Sequence, residues 1–226
     1  MTGPRLLDMR GELPEGGALS AVMGHLQAGG LVAMPTETVY GFGALLREEP
    51  IREIQGLKGR DDRRPFLVLI PGPESVGELE WPPPARELVR SFWPGALTLI
   101  LADPKKRFPR GVRSPQGTVA VRQSPHPLAR ALVEGLGRPL ISTSVNPPGG
   151  TPALTAREAM ETALALGGRE NLWVLDTGRL PSSSPSTIVD CSGAEPVVIR
   201  AGSIPLNRLR CVLPHLEGPD GQEHHV

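Results

Sequence analysis

The sequence predicts an α/β fold of mixed strand order, on three observations. Short apolar runs bounded by glycine or proline recur along the chain, segments of helical periodicity separate most of them, and 226 residues are enough for one sizeable core. The strand-like runs fall at 31–34, 66–70, 97–101, 118–121, 139–141, 172–175, 188–189 and 197–199. Most are β-branched or leucine-rich, the composition of strands covered on both faces. Helix-like segments lie at 17–28, 50–58, 84–92, 127–135 and 155–166. Two of these carry start signals: Ser124-Pro125-His126-Pro127 ahead of the periodic Leu128, Leu132 and Val133, with Gly135 as a stop, and Thr155 with Glu158 three residues on, a capping box. A single domain over 1–215 is expected. The Pro/Ser-rich stretch 180–185 reads as a flexible loop, and 216–226 as a frayed polar tail.

Composition narrows the function by exclusion. Lys plus Arg and Asp plus Glu both number 24, so net charge alone points to neither nucleic acid nor membrane. Local clustering is different: Lys105, Lys106, Arg107, Arg110, Arg113 and Arg122 face a single acid, Asp103, across residues 100–122, a balance suited to a polyanion. Cys191 and Cys211 have neither metal-site spacing nor histidines nearby, which excludes a disulfide framework and suggests a reducing, cytoplasmic address. No leader pattern and no run of roughly 18 apolar residues is present, so a soluble, unprocessed protein is expected.

The common catalytic signatures are missing. There is no GxxxxGK[ST], HExxH or GxSxG, and Gly41-Phe42-Gly43 lacks the third glycine of a dinucleotide loop. What remains is polar and cationic clusters at the ends of presumed strands, where open α/β sheets place ligands. Thr36, Glu37, Thr38 and Tyr40 follow the first strand and could grip a polar small molecule, or equally stabilise their own turn. Lys58, Arg60, Arg63 and Arg64 surround Gly59 and offer phosphate contacts, with a solvated loop pairing Asp61 and Asp62 as the alternative. Arg122 ends one strand, and Ser142, Thr143, Ser144 and Asn146 follow another. That run holds more donors and acceptors than a turn requires, although local backbone could use them. Ser186, Thr187 and Arg200 repeat the chemistry, and the repetition argues for one shared anion pocket.

Taken in order, PTETVYGFGA (35–44), KGRDDRRPF (58–66), FWPGALTLIL (92–101), GTVAVRQSPHP (117–127), STSVNPPGG (142–150), STIVD (186–190) and IRAG (199–202) resemble the YrdC/Sua5 family in its short form. The resemblance implies a twisted mixed sheet with flanking helices around a deep cationic cavity. It implies L-threonylcarbamoyladenylate synthesis from L-threonine, bicarbonate or CO2, and ATP with Mg2+, for threonylcarbamoyladenosine modification of tRNA. No metal ligand from a protein side chain and no covalent enzyme intermediate is implied; charge neutralisation falls to Lys58 and Arg60. Carried over by position, Lys58, Arg60 and Arg64 would face the triphosphate, with Thr118, Ser144, Asn146 and Arg200 around the nucleotide. Thr36, Arg122, Ser142 and Ser186 would hold threonine. A tRNA or a downstream threonylcarbamoyl-transferase complex is the implied partner.

Three positions depart from the family pattern: Asp61 where proline is frequent, Leu69 where a histidine often contacts threonine, and Phe66 in place of leucine. The longer members' second domain, which covers the active site, is not expected here, and 180–185 is a candidate lid. The competing reading is a non-catalytic binder of double-stranded RNA, tRNA or ribosomes, supported by the basic run. Eight aromatic residues argue against stacking on single strands. A carbamoyl-transfer module of hydrogenase-maturation type is a third reading, disfavoured by the scarcity of cysteine.

Overall fold

A computed structural model describes residues 3–11, 17–61 and 63–218 of the chain. In chain order the elements are β1 (Arg5–Asp8), α1 (Ala18–Gln27), β2 (Leu31–Pro35), β3 (Tyr40–Leu45), α2 (Glu48–Lys58), β4 (Leu67–Leu69) and a 3-10 turn (Pro73–Val76). Then follow α3 (Pro83–Phe92), β5 (Leu97–Ala102), β6 (Thr118–Arg122), α4 (Pro127–Leu136), β7 (Leu140–Ser144), α5 (Ala156–Ala165), β8 (Leu172–Asp176), β9 (Thr187–Asp190), β10 (Val197–Arg200) and α6 (Leu206–Arg210). The strands form one sheet in the order β1-β8-β2-β3-β7-β4-β6-β5-β9-β10. Four pairs are parallel (β1 with β8, β2 with β8, β4 with β6, β5 with β9) and the others antiparallel, so the expected mixed α/β order is observed.

Period-two alternation sorts each strand's side chains onto two faces. One face is covered continuously. Leu31 and Ala33 of β2, Tyr40, Phe42 and Ala44 of β3, Val119 and Val121 of β6, and Leu97, Leu99 and Leu101 of β5 pack there with Ile51 and Ile54 of α2, Leu88 of α3, and Ala159 and Ala163 of α5. The other face is covered only in part. Val32 and Met34, Leu45, Leu69, Leu140 and Leu175 meet Val22 and Leu26 of α1 and Leu128, Leu132 and Val133 of α4. Further along that same face the alternate residues of β6 and β5 are Ala120 and Arg122, and Thr98, and a bulge between Val198 and Arg200 brings Arg200 of β10 opposite Ile188 onto it. No helix buries them, and they line a cavity instead.

β3 is absent from the strand-like runs read from the sequence, and its two glycines interrupt what would otherwise be an apolar strand pattern. Their role is spatial: a Cβ on Gly41 would sit 2.7 Å from the Ser142 hydroxyl on β7, and one on Gly43 would sit 3.0 Å from a Met34 methyl. β1 and α6 were likewise missed, each being short. Thr155 forms the expected capping box with Glu158. α4, however, is capped by the His126 ring, which accepts from Leu128 N at 3.3 Å. It passes through Gly135 to Leu136, and Gly137 takes the left-handed turn at φ 59°. The tail does not begin at 216: Leu216 is buried, and Glu217 O accepts from Val198 N at 3.1 Å. Residues 219–226 of that expected tail lie outside the described residues.

Candidate active site

The uncovered half-face is a cavity of about 290 Å³. Of the residues singled out from the sequence, Thr36, Thr38, Arg60, Arg122, Ser142, Thr143, Ser144, Ser186 and Arg200 line it. The four clusters therefore meet in one place, as their repeated chemistry suggested. Among the described residues, three guanidiniums and no carboxylate stand on the wall.

Each cation is placed by a different element. Arg122 ends β6, is 4% exposed, and has Nη1 3.2 Å from Glu37 Oε1. Burial presses its pKa down and the Glu37 carboxylate opposes that. Arg200 ends β10 and donates from Nε and Nη2 to Ser186 O at 3.2 and 2.9 Å, and from Nη2 to Ser186 Oγ at 3.2 Å. Desolvation and, after it, the like charge of Arg122 push Arg200 down. Arg60 follows α2 and is pushed down by desolvation and then by Arg64. Guanidinium groups stay charged regardless, so the wall holds concentrated positive charge that an anionic ligand would relieve.

Hydroxyls fill the spaces between. Ser186 Oγ is 2.9 Å from Thr98 Oγ1, a polar break in the leucine-rich strand β5. A Cβ on Gly202 would come within 2.2 Å of Pro185 O, so that glycine lets the Ser186 segment approach β10 closely. Thr36 Oγ1 donates to Val39 O at 2.8 Å and sits 3.1 Å from Thr38 Oγ1, so the turn reading and the wall reading hold together.

Four expected site residues stand elsewhere. Lys58 is buried, but its ammonium does not face the cavity: it donates to Ser144 O at 2.8 Å, Asn146 O at 2.6 Å and Asn146 Oδ1 at 2.8 Å, using all three protons. Desolvation, with Arg60 beside it, holds Lys58 down to about 8. Asn146 is spent likewise, donating to Pro147 O and Gly150 O at 3.0 and 2.9 Å. Lys58 and Asn146 together fix the end of β7, from which Ser144 reaches the wall. Thr118 lies at the far end of β6 and bonds Ser114 Oγ at 2.8 Å. Arg64 is exposed and absent from the wall.

The sequence reading gave Thr98 no site role, and placed Thr38 and Glu37 in the first cluster without assigning either a substrate. Alternation along β5 was the signal for Thr98, since it shares a face with Ile100 and not with Leu97 and Leu99. Leu69, where the family often has histidine, packs beneath α4 with Leu128 and Leu140. Asp61 pairs with Arg63 at 2.7 Å, the solvated-loop alternative. The 180–185 loop is anchored by Leu180 N to Leu154 O at 2.8 Å and by Ser183 Oγ to Thr38 O at 3.2 Å. Among the described residues no group of three or more His, Cys, Asp or Glu could hold a metal ion, and no helix is long and apolar enough to cross a membrane.

A mixed sheet with one half-face turned into a cationic, hydroxyl-lined cavity defines an α/β protein suited to small anionic ligands. A family model described as telomere recombination, covering Sua5, YciO and YrdC proteins, matches residues 25–202, and the chain belongs to that family. It is 37% identical over 201 residues to a putative threonylcarbamoyl-AMP synthase of Mycobacterium tuberculosis, covering 87% of this chain and 89% of that protein. A threonylcarbamoyl-AMP synthase of Bacillus subtilis is 37% identical over 81% of this chain, but the match spans only 53% of that longer relative. Among solved structures, Pyrococcus abyssi Sua5 complexed with L-threonine superposes with a TM-score of 0.86 at 32% identity, over 94% of this chain and 62% of that one. Escherichia coli YciO shares the fold, with a TM-score of 0.77 at 23% identity over 92% of this chain and all of that chain (100%).

Proposed function

We propose that the chain is an L-threonylcarbamoyladenylate synthase, a nucleotidyltransferase that joins L-threonine, bicarbonate or CO2, and ATP, releasing pyrophosphate. The observation that carries this is the wall of three guanidiniums and several hydroxyls, with no carboxylate among the described residues. All substrates or their reacting forms are anionic or carry a carboxylate. The threonine nitrogen adds to the carbon of CO2 and loses a proton to solvent, giving a carbamate. A carbamate oxygen then attacks the α-phosphorus of ATP, and the bond to pyrophosphate breaks. No protein nucleophile enters, so the residues position and neutralise charge.

In this reading Arg122, with Thr36, Ser142 and Ser186, receives threonine, its fork matching the carboxylate. Arg60, Arg200 and Ser144 face the nucleotide, which enters with its magnesium as substrate. Lys58 and Asn146 act by holding Ser144, while Arg64 and Thr118 serve at the periphery. The product feeds tRNA modification in the cytoplasm, through a downstream transferase. The test is pyrophosphate release from ATP with magnesium and bicarbonate, comparing L-threonine, L-serine and no amino acid. One methyl is worth ~1–3 kcal/mol in a fitted pocket, so release should be strongest with threonine, serine should trail by about tenfold or more, and the blank should be silent. Release independent of the amino acid, or none from folded protein, would contradict the proposal.

A further inference from the structure

Arg122 and Glu37 form a buried ion pair that is only half used. Arg122 Nη1 lies 3.2 Å from Glu37 Oε1, an ion pair without hydrogen-bond geometry, and both Glu37 Oε1 and Arg122 Nε are buried without a hydrogen-bond partner. Arg122 lines the cavity, whereas Glu37 is absent from the wall that its neighbours Thr36 and Thr38 form. The carboxylate is itself held: Ser124 Oγ donates to Glu37 Oε2 at 2.5 Å, and Ser124 Oγ accepts from His126 N at 3.2 Å. The β2–β3 connection is thus fastened through Glu37 to the β6–α4 connection, with Arg122 between them.

Two consequences follow from charge and geometry. A buried guanidinium without a counterion is costly, and Glu37 supplies the counterion without occupying the cavity. A carboxylate grips arginine best in bidentate fashion, and with Arg122 Nε buried the guanidinium must meet it where Arg122 lines the cavity. We propose that Glu37 is a positioning residue that, through its ion pair with Nη1, fixes the Arg122 guanidinium at the cavity wall in the orientation that receives the carboxylate of the amino-acid substrate. Glu37 touches no substrate in this account. The proposal rests on Arg122 receiving the amino acid, as proposed above.

Electrostatics alone makes the opposite prediction, which allows a clean test. Glu37→Gln removes a negative charge beside Arg122, so a purely electrostatic role would tighten binding of any carboxylate. A positioning role loosens it, because the guanidinium is released from its anchor. Pyrophosphate release measured against L-threonine should show Glu37→Gln raising the threonine KM about tenfold, with the ATP KM and the kcat at saturating threonine within twofold of the parent. Ser124→Ala, which loosens Glu37 without changing charge, should shift the same constant in the same direction by a smaller factor. It decides the matter if Glu37→Gln does not fold. A threonine KM that is unchanged or lower, or an ATP KM that rises equally, would overturn the proposal. A parent without threonine-dependent release would instead defeat the synthase reading, and calorimetric titration of L-threonine into parent and variants then tests Glu37 alone: equal or tighter binding in the variants, or none in the parent, overturns it.

Discussion

The two halves of one sheet face carry opposite chemistry. Under α1 and α4 the inward positions are Val32, Met34, Leu45, Leu69, Leu140 and Leu175, and they close into a dry core. Across β7, on β6, β5, β9 and β10, the equivalent positions are Arg122, Thr98, Ile188 and Arg200, and they stay open. The covered half contributes stability through burial. The open half forgoes that gain and instead holds cations that a ligand can neutralise.

Substitutions in the two halves should therefore separate stability from binding. The largest effect is expected in the covered half: Leu132→Ala, at a fully buried α4 position, should cost ~2–5 kcal/mol of stability. Denaturant unfolding checks this, and threonine and ATP affinities of the folded fraction should not move. In the open half, Arg122→Lys keeps a positive charge but loses the fork. It should raise the threonine requirement about tenfold, equivalent to ~1.4 kcal/mol, as read by threonine titration of pyrophosphate release.

Lys58 sits at the boundary and titrates unusually low, at about 8. Its folded pKa is depressed below the ordinary lysine value, so between roughly pH 8 and 10.4 the unfolded chain binds more protons than the folded one. The cost of burying its charge is present below pH 8 and relieved as pH rises through that window. Neutral Lys58 has two protons for three acceptors, so Ser144 should loosen, and ATP affinity should fall as pH rises through 8. Lys58→Met should flatten that pH dependence. The smallest effect belongs to the exposed basic loop: reversing Lys105, Lys106 and Arg107 to glutamate should leave both KM values unchanged and shift stability by no more than about 0.5 kcal/mol per site. A large loss of activity there would move the site to the loop.

Legibility from sequence followed the same division. Continuous apolar runs such as 31–34 and 97–101 announced buried strands, and the hydroxyl and arginine clusters announced the cavity, because both signals are local. Direction was not local. Nothing in KGR says that Lys58 turns toward Ser144 and Asn146 while Arg60 turns to the cavity; that depends on where β7 ends relative to α2. Thr118 and Arg122 share a face of β6, but distance along the strand separates them, a fact that residue types do not carry. β3 was hidden because its two glycines interrupt the apolar pattern, and here glycine makes room for Ser142. Glu37 lay in full view within the first cluster, but its partner Arg122 is remote in sequence, so its role appears only in three dimensions.

The central claim is that the open half-face is where the amino acid and nucleotide meet. A crystal structure of the chain with L-threonine and a non-hydrolysable ATP analogue tests it most directly. The threonine carboxylate should lie within hydrogen-bond reach of Arg122, with the phosphates toward Arg60 and Arg200. Ligands seated on the Lys106–Arg113 surface, with the cavity unchanged, would contradict the account.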